Sequence, residues 1–272
     1  MGLRKRAKSR LQRLWRPEQH GASLSEGLAV VFGDGDSNRV GTIPIDDAVG
    51  HLYFGYGEQG WNPFSDAVRM YFATGQWSLL RRYFEYFRPA SLAEAYFCRG
   101  AAKFELLNEM SPYLRFKPWR ETEVLISGHS GEGNQNFGPV TDAKFRSETS
   151  RYESVLESIA KHGYRPDRYG HIKGYFLVDS ESRWVFRVTQ GFHRAAILDA
   201  LSWHSIPVQL DAALPSVVHI DTLPYWPKVL DGRVTPSLAR YMFQRHFWDR
   251  GQVKRIALRE LLENPGVRQG SE

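Results

Sequence analysis

Residues 150–210 constrain the fold most, because five segments of different period follow one another there with almost no spacer. In SRYESVLESIAKHG, Tyr152, Val155, Leu156, Ile159 and Ala160 recur at i, i+3, i+4, i+7 and i+8, the spacing of one helix face. Ser150 with Glu153 reads as a capping box at its start, and Gly163 as its stop. HIKGYFLVD and RWVFRVT are strand-like runs separated by the turn Ser180-Glu181-Ser182. Gly191 then opens a helix expected over about 192–203, and the strand IPVQL follows. Helix, strand, strand, helix, strand is the order of an α+β unit with helices packed on a sheet.

The flanks read differently. Residues 17–42 are rich in Gly, Ser and Asp and are expected to form a linker with one strand at LAVVF. Its Gly-Asp-Gly-Asp run lacks the later Glu of a calcium loop and reads as a turn. Residues 43–126 form an aromatic-rich helical subdomain, with helices expected in PFSDAVRMYFATG, WSLLRRYFEYFRP and SLAEAYFCRGAAKFELL. Ser91 with Glu94 is a second capping box. The lone Cys98 has no cysteine partner for a disulfide or metal site and is expected as a small buried residue. A Gly-rich loop spans 127–140, the α+β unit 141–220, and C-terminal helices 221–272, after one more strand at VVHI.

Two segments carry chemistry. Amides in the first turn of a helix lack partners and bear partial positive charge, so Gly191, His193 and Arg194 together suit a phosphate, the other reading being a solvated His-Arg turn. The loop SGHSGEGNQNFGPV offers His129, Glu132, Asn134, Gln135 and Asn136 among glycines that allow close backbone approach to a substrate. It reads equally as an ordinary surface loop. It is not a Walker loop, since no Gly-Lys-Ser/Thr closes it.

ESIAKHG, two strands, the Gly-x-His-Arg turn and Ile-Pro-Val, in that order, resemble the ParB-like and sulfiredoxin-like nucleotide-binding fold over about residues 145–212. The resemblance implies a mixed sheet with helices. It also implies nucleotide phosphates held by His193 and Arg194, and by Arg151, Ser154 and Ser158 on the preceding helix. Steps of three and four put those three near one helix face. Phe192 stands where sulfiredoxins have their reactive Cys, which excludes their chemistry. The free-serine-kinase branch of the superfamily uses a Glu of the preceding helix as base, which implies Glu157 or Glu153 here. Its Asp before the glycine is Gln190 in this chain, so Mg2+ handling departs from the pattern. The flanking text also resembles a bacterial family whose members accompany cell-surface polysaccharide functions.

Charge narrows the partners. Of 36 basic residues, Arg4, Lys5, Arg6, Lys8, Arg10, Arg13 and Arg16 crowd into a tail, residues 1–16, that has no acid. The remainder is near neutral against 30 acids, which argues against a nucleic-acid clamp. In the tail Leu3, Ala7, Leu11, Leu14 and Trp15 recur at helical spacing, which suits an anionic membrane surface. A solubilising arm, nucleic-acid binding and a transit peptide are its other readings. With no membrane-spanning run, the expected location is cytoplasmic, peripheral at the inner membrane. The expected function is an ATP-dependent phosphotransferase, with ATP or another nucleotide and Mg2+ as cofactors and a small hydroxylated acceptor as partner. The alternative is a non-catalytic nucleotide-responsive module positioning partners at the membrane. No metal site is expected of the protein itself.

Overall fold

The computed structural model describes residues 40–98, 105–125 and 131–263. Its strands are β1 (Val40–Pro44), β2 (Ala48–Val49), β3 (Leu114–Arg115), β4 (Val124–Leu125), β5 (Ile172–Val178), β6 (Trp184–Gln190), β7 (Ser205–Leu210) and β8 (Val217–His219). Its helices are α1 (Pro63–Thr74), α2 (Ser78–Tyr86), α3 (Leu92–Phe97), α4 (Glu105–Glu109), α5 (Asp142–His162), α6 (Pro166–Tyr169), α7 (Phe192–Ala200), α8 (Pro227–Leu230), α9 (Pro236–Trp248) and α10 (Gln252–Glu263).

Six strands make one mixed sheet, in the order β1-β7-β5-β6-β2, with β8 also on β5. β5 and β6 pair antiparallel, as two strands joined by a tight turn must. Asp179 builds that turn, its Oδ1 accepting the amides of Glu181 and Arg183 at 2.9 Å each. β7 and β8 both run parallel to β5, one along Ile172–Gly174 and the other along Phe176–Val178. β5 is buried at nearly every position because it is covered on both faces. β1 pairs antiparallel with β7 and β2 parallel with β6, so residues 40–49 supply both outer strands.

α7 packs on β5 and is flanked by α1 and α5, while α9 packs against β6. One continuous apolar core includes Ile43, Val49, Val68, Tyr83, Phe176, Phe186, Ile197 and Phe243. Helix boundaries follow capping chemistry. Asn62 accepts the Phe64 amide at the start of α1, Pro63 occupies its first position, and left-handed Gly75 closes it.

Three boundaries differ from expectation. α5 begins at Asp142, capped by Thr141 through the Lys144 amide, so Ser150 and Glu153 lie inside the helix and form no capping box. α7 stops at Ala200, because Ser202 turns left-handed and the Trp203 amide returns to the Leu198 carbonyl. The helix expected through Cys98 stops at Phe97, since Cys98 takes φ 59°. Cys98 itself is half-buried against the core, and burial pushes its thiol up. The basic tail, the LAVVF segment and the Gly-Asp-Gly-Asp run lie outside the described residues. None of the described helices is long and apolar enough to cross a membrane.

Candidate functional site

β6 delivers the chain to Gly191, which sits in the left-handed region at φ 84° and lacks any side-chain cap for α7. A Cβ there would stand 3.1 Å from Ile172 Cα, so conformation and space both call for glycine. His193, in the first turn of α7, donates from Nε2 to Glu148 Oε2 at 2.9 Å and lies against the Tyr152 ring at 4.5 Å. Glu148 also receives Lys144 at 2.8 Å and Arg151 at 3.4 Å. Burial pushes the Glu148 carboxyl up, but hydrogen bonds from His193 and Lys144 outweigh it and hold the group at about 2. Arg194 donates from Nη1 to the Tyr169 carbonyl at 2.9 Å. Both side chains of the Gly-x-His-Arg turn therefore have protein partners.

The other sequence-predicted residues fall into separate places. Arg151 joins the Glu148 cluster while remaining exposed, and Ser154 and Glu157 are exposed on α5 with Ser158 half-buried. Glu153 accepts the Trp77 indole N–H at 2.9 Å. Neither glutamate lines a cavity at the turn; Tyr152, on another face of the helix, does. Glu148 was missed from sequence, although it lies three and four residues from Arg151 and Lys144, the spacing of an ion-pair cluster.

The Gly-rich loop meets the turn, but closely. Asn134 is buried and accepts the amides of Asn136 and Phe137 at 2.6 and 3.3 Å, shaping the loop. The Tyr83 hydroxyl donates to the Asn136 carbonyl at 2.6 Å, and the Gly138 amide to the Phe87 carbonyl at 2.9 Å. Gln135 and Asn136 face His193, Phe192 and His51 across a space of about 20 Å³. That is room for about one water. Glu132 is exposed, and His129 lies outside the described residues.

The larger cavity, about 180 Å³, lies beside Gln190 and Phe192 and shares His51 with the small one. Its cations are Arg115, Lys117, Arg120 and Arg187. Extended backbone puts Arg115 and Lys117 on one side, with Phe116 turned into the core. Lys117 is 6 % exposed, and its Nζ stands 5.1, 5.1 and 5.6 Å from the rings of Tyr53, Tyr96 and Trp119. Arg187, 5 % exposed, donates to the Val188 carbonyl at 2.7 Å and to His51 Nδ1 at 3.3 Å. Among the described residues no carboxylate pairs with any of these four cations. Burial and then Arg187 depress Lys117 well below the usual lysine range. Burial likewise keeps His51 neutral, and because Nδ1 accepts from Arg187 its proton sits on Nε2. That Nε2 and the Nε atoms of Arg115 and Arg187 are buried without hydrogen-bond partners.

Each unmet group here is a donor. A buried donor or cation without an acceptor costs kilocalories, and an anion with several oxygens removes that cost at several positions together. Among the described residues no group of three His, Cys, Asp or Glu side chains comes together, and Gln190 precedes Gly191 at the turn. No family model, curated protein or solved structure matches the chain.

Proposed function

We propose that this chain binds a phosphorylated small molecule in the cationic cavity. We further propose that it is a phosphotransferase of the ParB/sulfiredoxin-like kind, moving a phosphoryl group between ATP or another nucleotide and a small hydroxylated acceptor. The observation that carries the binding is the set of Arg115, Lys117, Arg120 and Arg187 around one cavity, none of them paired with a carboxylate among the described residues. Phosphoryl transfer needs the phosphate charge neutralised and the groups positioned in line. Three guanidiniums and one ammonium supply the first. The nucleotide is suggested by the resemblance of the Gly191 turn, whose uncapped helix start adjoins the cavity at Gln190 and Phe192.

One observation favours the non-catalytic reading. Glu153 is tied to Trp77 and Glu157 is exposed on α5, so neither expected base borders the cavity. Phosphorus NMR separates the two. With ATP and glycerol, the wild-type protein is expected to broaden the phosphate resonances, Arg187→Gln to abolish the broadening, and a phosphate-ester resonance to grow with time. Broadening without a new ester, across a panel of hydroxylated acceptors, makes the protein a binding module. Sharp resonances with the wild-type protein overturn both readings.

A further inference from the structure

The walls of the cationic cavity differ. Arg115, Lys117, Arg120 and Arg187 offer donors, whereas Thr189, Gln190 and Asp211, from the ends of β6 and β7, make a polar wall with an acid in it. Asp211 is 8 % exposed. Its Oδ2 accepts the Thr189 hydroxyl at 2.7 Å and its Oδ1 the Ala213 amide at 3.2 Å. A carboxylate has about four acceptor positions, so Asp211 keeps acceptor capacity on both oxygens. Among the described residues no Lys or Arg forms an ion pair with it, although four cations line the same cavity.

We infer that the cavity's ligand is a small phosphate ester bearing a hydroxyl close to its phosphate, and that Asp211 receives that hydroxyl. The inference rests on the reading of the cavity as a phosphate site. A carboxylate repels any second phosphate placed against it, so a polyphosphate chain running along the cavity would meet like charge at Asp211. A single phosphate beside the cations with a hydroxyl at Asp211 satisfies both. The volume agrees: about 180 Å³ is less than the roughly 300–1,000 Å³ that encloses a drug-sized molecule, so the cavity suits a compact ester. Thr189, by donating to Asp211, fixes the carboxylate's orientation and is a positioning residue. In the proposed reaction such an ester is the phosphorylated acceptor.

Titration calorimetry with three probes tests this: inorganic phosphate, glycerol 3-phosphate, and propyl phosphate, which has the same chain without hydroxyls. A hydrogen bond to a buried charged group supports roughly tenfold or greater discrimination, so glycerol 3-phosphate should bind at least about tenfold more tightly than propyl phosphate. Asp211→Asn should bring that ratio below about threefold, while inorganic phosphate binds as well or better because a repelling charge is gone. Equal affinity of the two esters for the wild-type protein, or an unchanged ratio in Asp211→Asn, overturns the inference with the phosphate site left standing. Failure of all three probes to bind the wild-type protein overturns the phosphate site itself. Should Asp211→Asn not fold, the wild-type ratio decides the ligand class and Thr189→Val reads the same wall.

Discussion

Glu148 gathers the cations beside the Gly191 turn. It is 1 % exposed, yet it stays ionised because His193 and Lys144 surround its oxygens. The group is held at about 2 against an ordinary 4.5, so the native state favours the carboxylate more than the unfolded chain does. The resulting stability is fully present above about pH 4.5 and is lost as pH falls toward 2, and it is on the order of 3 kcal/mol. Glu148→Gln should cost about that much at pH 7 and flatten the fall in stability between pH 4.5 and 2, as followed by urea unfolding at stepped pH. The same pair gives the His193 Nε2 proton an acceptor within the protein.

At the scale of elements, α5 separates what its sequence says from what it does. Thr141 caps it through the Lys144 amide at 3.2 Å, whereas Ser150 is a mid-helix residue on an exposed face. Thr141→Ala should therefore cost about 1 kcal/mol and Ser150→Ala close to nothing in chemical denaturation. The reverse order would restore a helix start at Ser150. The body of α5 up to Gly163, the strands β5 to β7 and the start of α7 were legible because apolar period and Gly163 and Gly191 agree there with the tertiary packing, whereas the short α6 carried no such period. The start of α5 was not, since Ser-x-x-Glu inside a helix is indistinguishable by spacing from a capping box. Gly191 was legible as the turn glycine. The cationic cavity was not, because His51, Arg115–Arg120, Arg187 and Asp211 come from four distant segments that only the sheet brings together. One signal was available: Arg187 sits in the middle of RWVFRVT, an apolar strand where a charge needs a reason.

Taken whole, the described residues form one apolar core that buries both basic and acidic side chains, and not every buried cation has an acid beside it. Arg245 is paired with Asp249 and Lys228 with Glu123, as buried charges ordinarily are. Lys254 donates to the carbonyls of Leu52 and Tyr96 at 2.8 and 2.6 Å, and burial lowers it to about 8. Among the described residues Lys117 and Arg187 have no such acid, and they line the cavity of about 180 Å³. A protein carrying this arrangement is less stable empty than it need be, which is expected of a site kept for an anion. Thermal unfolding of the wild-type protein and Lys117→Met, each with and without saturating inorganic phosphate, tests this most directly. Met keeps the packing among Tyr53, Tyr96 and Trp119 and removes a buried amine whose charged form burial disfavours and which has no carboxylate partner among the described residues, so the empty variant should gain on the order of 1–3 kcal/mol, or several degrees in Tm. Phosphate at about 100 times its Kd should add roughly 2.7 kcal/mol to the wild-type protein and little to the variant. A variant that melts below the wild-type protein and is stabilised by phosphate to the same extent would contradict the cavity as the anion site.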